Sequence, residues 1–240
     1  YNSDLNDRNL DDVPEVDLYC WTPPCQSYSR QGNQEGIKDK RGALIAVGVK
    51  YAVKKKPKAL IMENVAGILS RKHKNVVAGI TKALEKNGFV VFWGRLNGLH
   101  TGVPTDRDRA FCVGIRKDCY RREFHFPPPL GVADRVVLAD VLDPFNDKTD
   151  KVCRMPKAKR MRKLISSACS EAKANGIDAR EVPLAVDIDC SPKFRCWGQN
   201  FAKTLTKSRG RAGGPWISTR GRRTTTDELM RIQGFLPCEI

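Results

Sequence analysis

The sequence predicts an α/β protein, a parallel sheet with helices on its faces followed by a smaller second unit. Over the first two thirds of the chain, short apolar runs alternate with helix-period patterns. Strands separated by helices of that length need crossover connections, which set them parallel. After Pro127-Pro128-Pro129 the alternation stops. With 240 residues the chain can form one large domain, or one carrying a smaller addition. A content of 40% hydrophobic and 29% charged residues is too apolar for a disordered chain. The longest apolar stretch, residues 42–49, falls far short of the roughly 20 residues that cross a bilayer, so no membrane span is expected.

Taken in order, residues 16–20 read as a strand, 41–51 as a helix and 59–62 as a second strand. Residues 75–86 read as a helix because Val77, Ile80 and Leu84 fall at helical spacing, and Asn87-Gly88 supplies its stop. Residues 89–93 and 110–115 read as further strands. Beyond 130 the segments are short and ambiguous. They include a basic run over 154–163 and a glycine- and serine-rich loop over 208–214, and a helix resumes over 227–232. The chain begins with Tyr1 rather than Met, and its first residues are acidic and polar with no apolar signal region. It therefore reads as a piece of a longer protein.

The formal net charge is +16. Residues 147–222 hold 18 Lys and Arg against 7 Asp and Glu, whereas the two ends are slightly acidic. Such a field favours a polyanionic partner, most simply nucleic acid, with an anionic membrane surface or plain solubility as readings that charge alone leaves open. The nine cysteines form no Cys-x-x-Cys pair and have no histidine placed for zinc. A reducing compartment and mostly inert, buried cysteines are expected. His73, His100 and His125 show no ligand pattern and are expected to be surface or packing residues.

Ligands of an open parallel sheet gather beyond the carboxyl ends of its strands. Thr22-Pro23-Pro24-Cys25-Gln26-Ser27-Tyr28-Ser29 follows the first strand and Glu63-Asn64-Val65 the second. If those strands are neighbours, Cys25 and Glu63 face one pocket. A cysteine held outside the core can attack an electrophilic carbon while a partly desolvated carboxylic acid delivers a proton. The other reading is a proline-ended loop with a spectator cysteine. Before a later strand, Arg107 and Arg109 alternate, so on an extended segment they project to one side as donors for a carbonyl oxygen or phosphate, or as a solvated edge.

Five segments then resemble, in order and spacing, the cytosine-5 DNA methyltransferase family. They are Pro23-Pro24-Cys25-Gln26-Ser27-Tyr28-Ser29-Arg30-Gln31-Gly32; Asp39-Lys40-Arg41-Gly42-Ala43-Leu44; Glu63-Asn64-Val65; Gly102-Val103-Pro104 with Arg107 and Arg109; and Arg222 with Thr225, Glu228, Arg231, Gln233, Gly234 and Phe235. The resemblance implies a Rossmann-like methyltransferase sheet, incomplete in this chain, with a smaller target recognition domain. It implies a partial catalytic core over 1–122, target recognition over 123–206 and a return segment over 207–240. It also implies that Cys25 adds to carbon 6 of a flipped cytosine in double-stranded DNA, that Glu63 holds or protonates ring nitrogen 3, and that Arg109 binds the base carbonyl, with Arg107 supporting the Cys25 loop or a phosphate. Asn64 is expected to orient the loop. S-adenosylmethionine is the implied methyl donor, touched here by Pro24 and Leu44. The glycine-rich cofactor loop and the last motif of the family have no counterpart in these residues, so an incomplete cofactor site is expected. A tRNA cytosine as substrate and a catalytically silent nucleic-acid-binding module remain open alternatives. The expected location is the nucleus in a eukaryote, otherwise the cytoplasm or nucleoid.

Overall fold

The computed structural model describes residues 9–28, 40–146, 155–191, 194–206 and 213–235. Residues 29–32 and Asp39 of the resembling segments, most of the loop expected over 208–214, Arg154 of the basic run, Cys153 and Cys238 lie outside the described residues. The chain divides into two compact units, the first holding residues up to Leu96 with Asp108–Pro127, the second Asn97–Arg107 with Pro128 onward.

In the first unit the elements are β1 (Leu18–Trp21), α1 (Lys40–Lys55), β2 (Ala59–Val65), α2 (Lys74–Lys86) and β3 (Phe89–Asn97); β4 (Thr105–Asp106) then belongs to the second unit, and β5 (Asp108–Arg116) returns to the first. The sheet order is β1-β2-β5-β3. β1 and β2 are parallel, Leu18 registered to Ala59, with α1 as the crossover the sequence predicts. β5 departs from the all-parallel expectation by entering between β2 and β3 antiparallel to β2, Ala59 against Ile115 and Val65 against Arg109. No α-helix separates β3 from β5, and a chain without a crossover helix reverses. In α2 the buried stripe is Val76, Ile80 and Leu84. Gly88, at φ +89°, takes the left-handed stop that a side chain would strain. One core contains Ile45 and Ala52 from α1, Leu60 and Met62 from β2, Ile80 and Leu84 from α2, and Phe89 from β3.

The second unit contains α3 (Leu138–Val141), α4 (Lys159–Ala174), β6 (Leu184–Val186), β7 (Trp197–Gln199), β8 (Ala202–Lys203), β9 (Trp216–Ile217), β10 (Arg222–Arg223) and α5 (Thr226–Ile232). Its antiparallel sheet has the order β10-β9-β6-β7, and β4 pairs in parallel with β8. The basic run, which the sequence left without structure, largely enters α4. That helix buries Leu164, Ile165, Ala168 and Ala172 against Leu184, Val186, Trp197 and Trp216, at the i, i+3, i+4 spacing of an amphipathic helix. Among the described residues no helix is long and apolar enough to cross a membrane.

The cysteine expectation needs correction. Of the seven described, Cys112, Cys190 and Cys196 are buried, Cys25, Cys119 and Cys169 are intermediate and Cys20 is exposed. Cys20 lies on β1, an edge strand, where part of the pleat faces outward. His73 is buried, whereas His125 is exposed beside Glu123 at 3.6 Å. No metal-binding cluster occurs among the described residues.

Candidate active site

Because Trp21 is registered to Met62, the chain leaving β1 through Thr22, Pro23 and Pro24 passes the last residues of β2. Those residues, Glu63, Asn64 and Val65, belong to the strand rather than following it, so their side chains alternate between the two faces of the sheet. Asn64 is fully buried. Its Nδ2 donates to the Pro23 carbonyl at 3.3 Å and its Oδ1 accepts from the Val65 backbone N–H at 2.9 Å. The amide thus ties the Pro-Pro-Cys loop to the end of β2, the orienting role expected of it.

Beyond Cys25 the chain turns, the Tyr28 N–H donating to the Cys25 carbonyl at 3.0 Å. Tyr28 is buried, with its ring and that of His73 nearly perpendicular at 5.0 Å. The short 3-10 helix Ala66–Leu69 crowds the loop so closely that a Cβ on Gly67 would stand 2.3 Å from the Tyr28 carbonyl oxygen. Gly67 is a site residue that the sequence reading missed, and its only signal was a glycine just past β2. The loop leaves Cys25 half-buried. Cys112, by contrast, is sealed inside β5, where burial pushes its thiol up to about 12, too high to ionise at neutral pH.

Glu63 and Arg109 come together through sheet register. Arg109 stands opposite Val65, and Glu63 is the diagonal neighbour on the same face. Arg109 Nε lies 2.7 Å from Glu63 Oε1, with side-chain exposures of 17% and 25%, and Arg109 Nη1 donates to the Asp108 carbonyl at 2.8 Å. The carboxylate is therefore charge-paired and mostly shielded from solvent, at the strand end beside which the Cys25 loop is fastened.

Arg107 does not share a strand with Arg109, contrary to the expectation of one extended segment. Its N–H donates to the Thr105 carbonyl at 2.9 Å and its carbonyl accepts from the Gly98 N–H at 3.1 Å. This turn separates β4, which pairs with β8, from β5, which pairs with β2. Arg107 is exposed and belongs to the second unit.

Pro24 and Leu44 line the same cavity of about 350 Å³, in the first unit along β1, whose walls include Trp21, Val47, Gly48 and Tyr51. Its size is at the low end for small-molecule sites, and its apolar, aromatic lining suits a planar ring or a thioether. These residues therefore fit part of an S-adenosylmethionine site. The wall depends on Gly48, since a Cβ there would meet Trp21 Nε1 at 2.3 Å.

The last resembling segment builds a polar knot in the second unit. Glu228, fully buried, pairs with Arg222 at 2.8 Å and accepts from the backbone N–H groups of Thr225 and Asp143 at 2.7 and 3.0 Å. Thr225 caps α5 by accepting from the Glu228 N–H at 3.1 Å, completing a capping box. Arg231 bonds the Val141 carbonyl and the Asp143 carboxylate. Asp143 went unnoticed because nothing in its local sequence marks a residue whose partners lie far along the chain.

Residues 1–238 match the family profile of C-5 cytosine-specific DNA methylases. The chain is 36% identical over 144 residues to the Type II methyltransferase M.FnuDI of Fusobacterium nucleatum, a match covering 60% of this chain and 42% of the relative. It is 32% identical over 156 residues to M.Bsp6I of a Bacillus species, covering 62% of this chain and 50% of that one. The chain thus spans about half the length of these curated relatives. A putative DNA modification methyltransferase encoded within an E. coli prophage superposes with a TM-score of 0.61 at 19% identity, over 97% of this chain and 74% of that one. The S. pombe Dnmt2 methyltransferase gives 0.55 at 16% identity, over 99% and 73%. At these identities the likeness shows the fold, a Rossmann-like methyltransferase sheet.

Proposed function

The chain belongs to the family of C-5 cytosine-specific DNA methylases, and on that premise we propose that it methylates carbon 5 of a cytosine flipped out of double-stranded DNA. The observation that carries this reading is the shielded Glu63–Arg109 pair, 2.7 Å apart, at the strand end to which Asn64 fastens the Cys25 loop. In the proposed reaction Cys25 Sγ, as thiolate, forms a bond to carbon 6 of the cytosine. Glu63 holds ring nitrogen 3 and supplies the proton that neutralises the charge created there, while Arg109 donates to the carbonyl oxygen. Carbon 5, now nucleophilic, takes the methyl group; its proton then leaves and the Sγ–C6 bond breaks, restoring the aromatic ring. Bound S-adenosylmethionine would supply an electrophilic methyl group, with Pro24 and Leu44 holding part of it. Arg107 is assigned to the Cys25 loop or a DNA phosphate. The segments 1–122, 123–206 and 207–240 are assigned as partial catalytic core, target recognition domain and return segment.

A duplex carrying 5-fluorocytosine at the target position tests this. The fluorine cannot leave as a proton does, so incubation with S-adenosylmethionine should trap a denaturation-stable adduct that peptide mapping places on Cys25. Persistence of that adduct in Cys25→Ala would reject the assignment. Capture of a fluorocytosine-substituted tRNA in preference to the duplex would move the substrate to RNA.

A further inference from the structure

The connection between β6 and β7, residues 187–196, is anchored at both ends and apolar at its tip. Ile188, Cys190 and Cys196 are buried in the second unit's core. The Asp187 N–H donates to the Cys196 carbonyl at 2.7 Å, closing the base of the loop, and the Phe194 N–H donates to the Ser191 carbonyl at 3.1 Å, forming a turn. Phe194 itself stands 66% exposed, the most exposed aromatic side chain among the described residues. A lone exposed phenylalanine is ordinary; its surroundings are not.

Arg160, in the first turn of α4, donates to the Cys190 carbonyl, so the basic start of that helix meets the loop's base. Lys157, Lys159, Arg160, Arg162 and Lys163 are all exposed, and residues 155–170 contain no acidic group. On the other side of Phe194, the Arg195 guanidinium lies 4.0 Å over the Trp197 ring and 3.9 Å from Glu171. The nearby acids are engaged: Glu171 accepts from Trp197 Nε1 at 2.8 Å and Asp189 pairs with Arg223 at 3.0 Å. An aromatic tip on a rim of uncompensated cations complements a polyanion with flat apolar faces between its charges. That is a nucleic acid, whose phosphates take the cations and whose bases take the ring.

We propose that Phe194 stacks as a wedge against the base pairs of duplex DNA while the cations at the start of α4 hold the adjoining phosphates. This rests on the reading of the chain as a DNA methyltransferase, and it adds a specificity-bearing contact to that reading.

Equilibrium binding of the chain to a fluorescent duplex, measured across a range of salt, tests the proposal. Phe194→Ala should weaken binding about tenfold, as loss of one stacked base does, with the salt slope unchanged because no phosphate contact is lost. Phe194→Trp should keep the affinity and show indole emission quenched by the duplex. Arg162→Gln should reduce the salt slope by about one. Wild-type affinity in Phe194→Ala, or emission from Phe194→Trp that ignores the duplex, overturns the wedge. If covalent capture at Cys25 continues in either case, the methyltransferase reading survives alone. Conversion of a self-associated chain to monomer by Phe194→Ala would instead make the tip a protein contact and overturn the proposal.

Discussion

The chemistry proposed for Cys25 depends on side chains that never touch a substrate. Asn64 spends its amide on the Pro23 carbonyl and its own strand end, and Gly67 gives up a side chain so that the 3-10 turn can approach Tyr28. Gly67→Ala would place a Cβ 2.3 Å from a carbonyl oxygen, and backbone does not yield as a flexible side chain does. Overpacking of this kind costs about 1–3 kcal/mol. The expected result is a lower denaturation midpoint together with slower covalent capture by Cys25, because the displaced segment carries the sulfur. Gly79 provides the control. It lies within α2 with nothing within 4 Å of an added Cβ, so Gly79→Ala should stabilise by about 0.5–1 kcal/mol through helix propensity and leave capture unchanged. If both variants behave alike, Gly67 does not position the loop.

At the scale of elements, the loop after β1 and the helix α2 meet through Tyr28 and His73. Burial, with a smaller contribution from Lys72, pushes the His73 imidazole below its ordinary pKa. The folded protein therefore resists protonation that the unfolded chain accepts. The stability contributed by neutral His73 is complete above the ordinary histidine pKa and is lost as pH falls through it toward the lowered folded value. Acidification from about pH 8 toward pH 5 should lower the unfolding midpoint, and His73→Phe, which keeps a ring against Tyr28 without a titratable nitrogen, should flatten that dependence. An unchanged pH profile in His73→Phe would place the titration elsewhere. The same element-level view shows why the last resembling segment holds its form. Thr225 and Glu228 cap α5 while Arg222 neutralises the buried carboxylate, and a buried charge is tolerated when paired and hydrogen-bonded.

Across the whole molecule, what the sequence revealed depended on how local each signal was. β1, α1, β2 and α2 were readable because period-2 and period-3.6 patterns were bounded by proline and glycine, and the Pro-Pro-Cys and Glu-Asn-Val segments were readable because they sit at strand ends. The antiparallel entry of β5 was hidden, since strand direction depends on what joins β3 to β5 rather than on the composition of either. α4 was hidden because its apolar stripe of Leu164, Ile165, Ala168 and Ala172 sits within a run of cations that reads as a solvated segment. The cations themselves were legible, and they support the last prediction. With a net charge of +16, and 18 basic against 7 acidic residues between 147 and 222, binding to duplex DNA should be dominated by release of counterions from phosphates. Each phosphate neutralised contributes about −0.9 to the slope of log K against log salt. If about six phosphates are contacted, affinity should fall by roughly a thousandfold between about 50 and 200 mM salt. Titration of one duplex at several salt concentrations measures this, and a slope near zero would mean that the basic residues serve solubility instead of a nucleic acid partner.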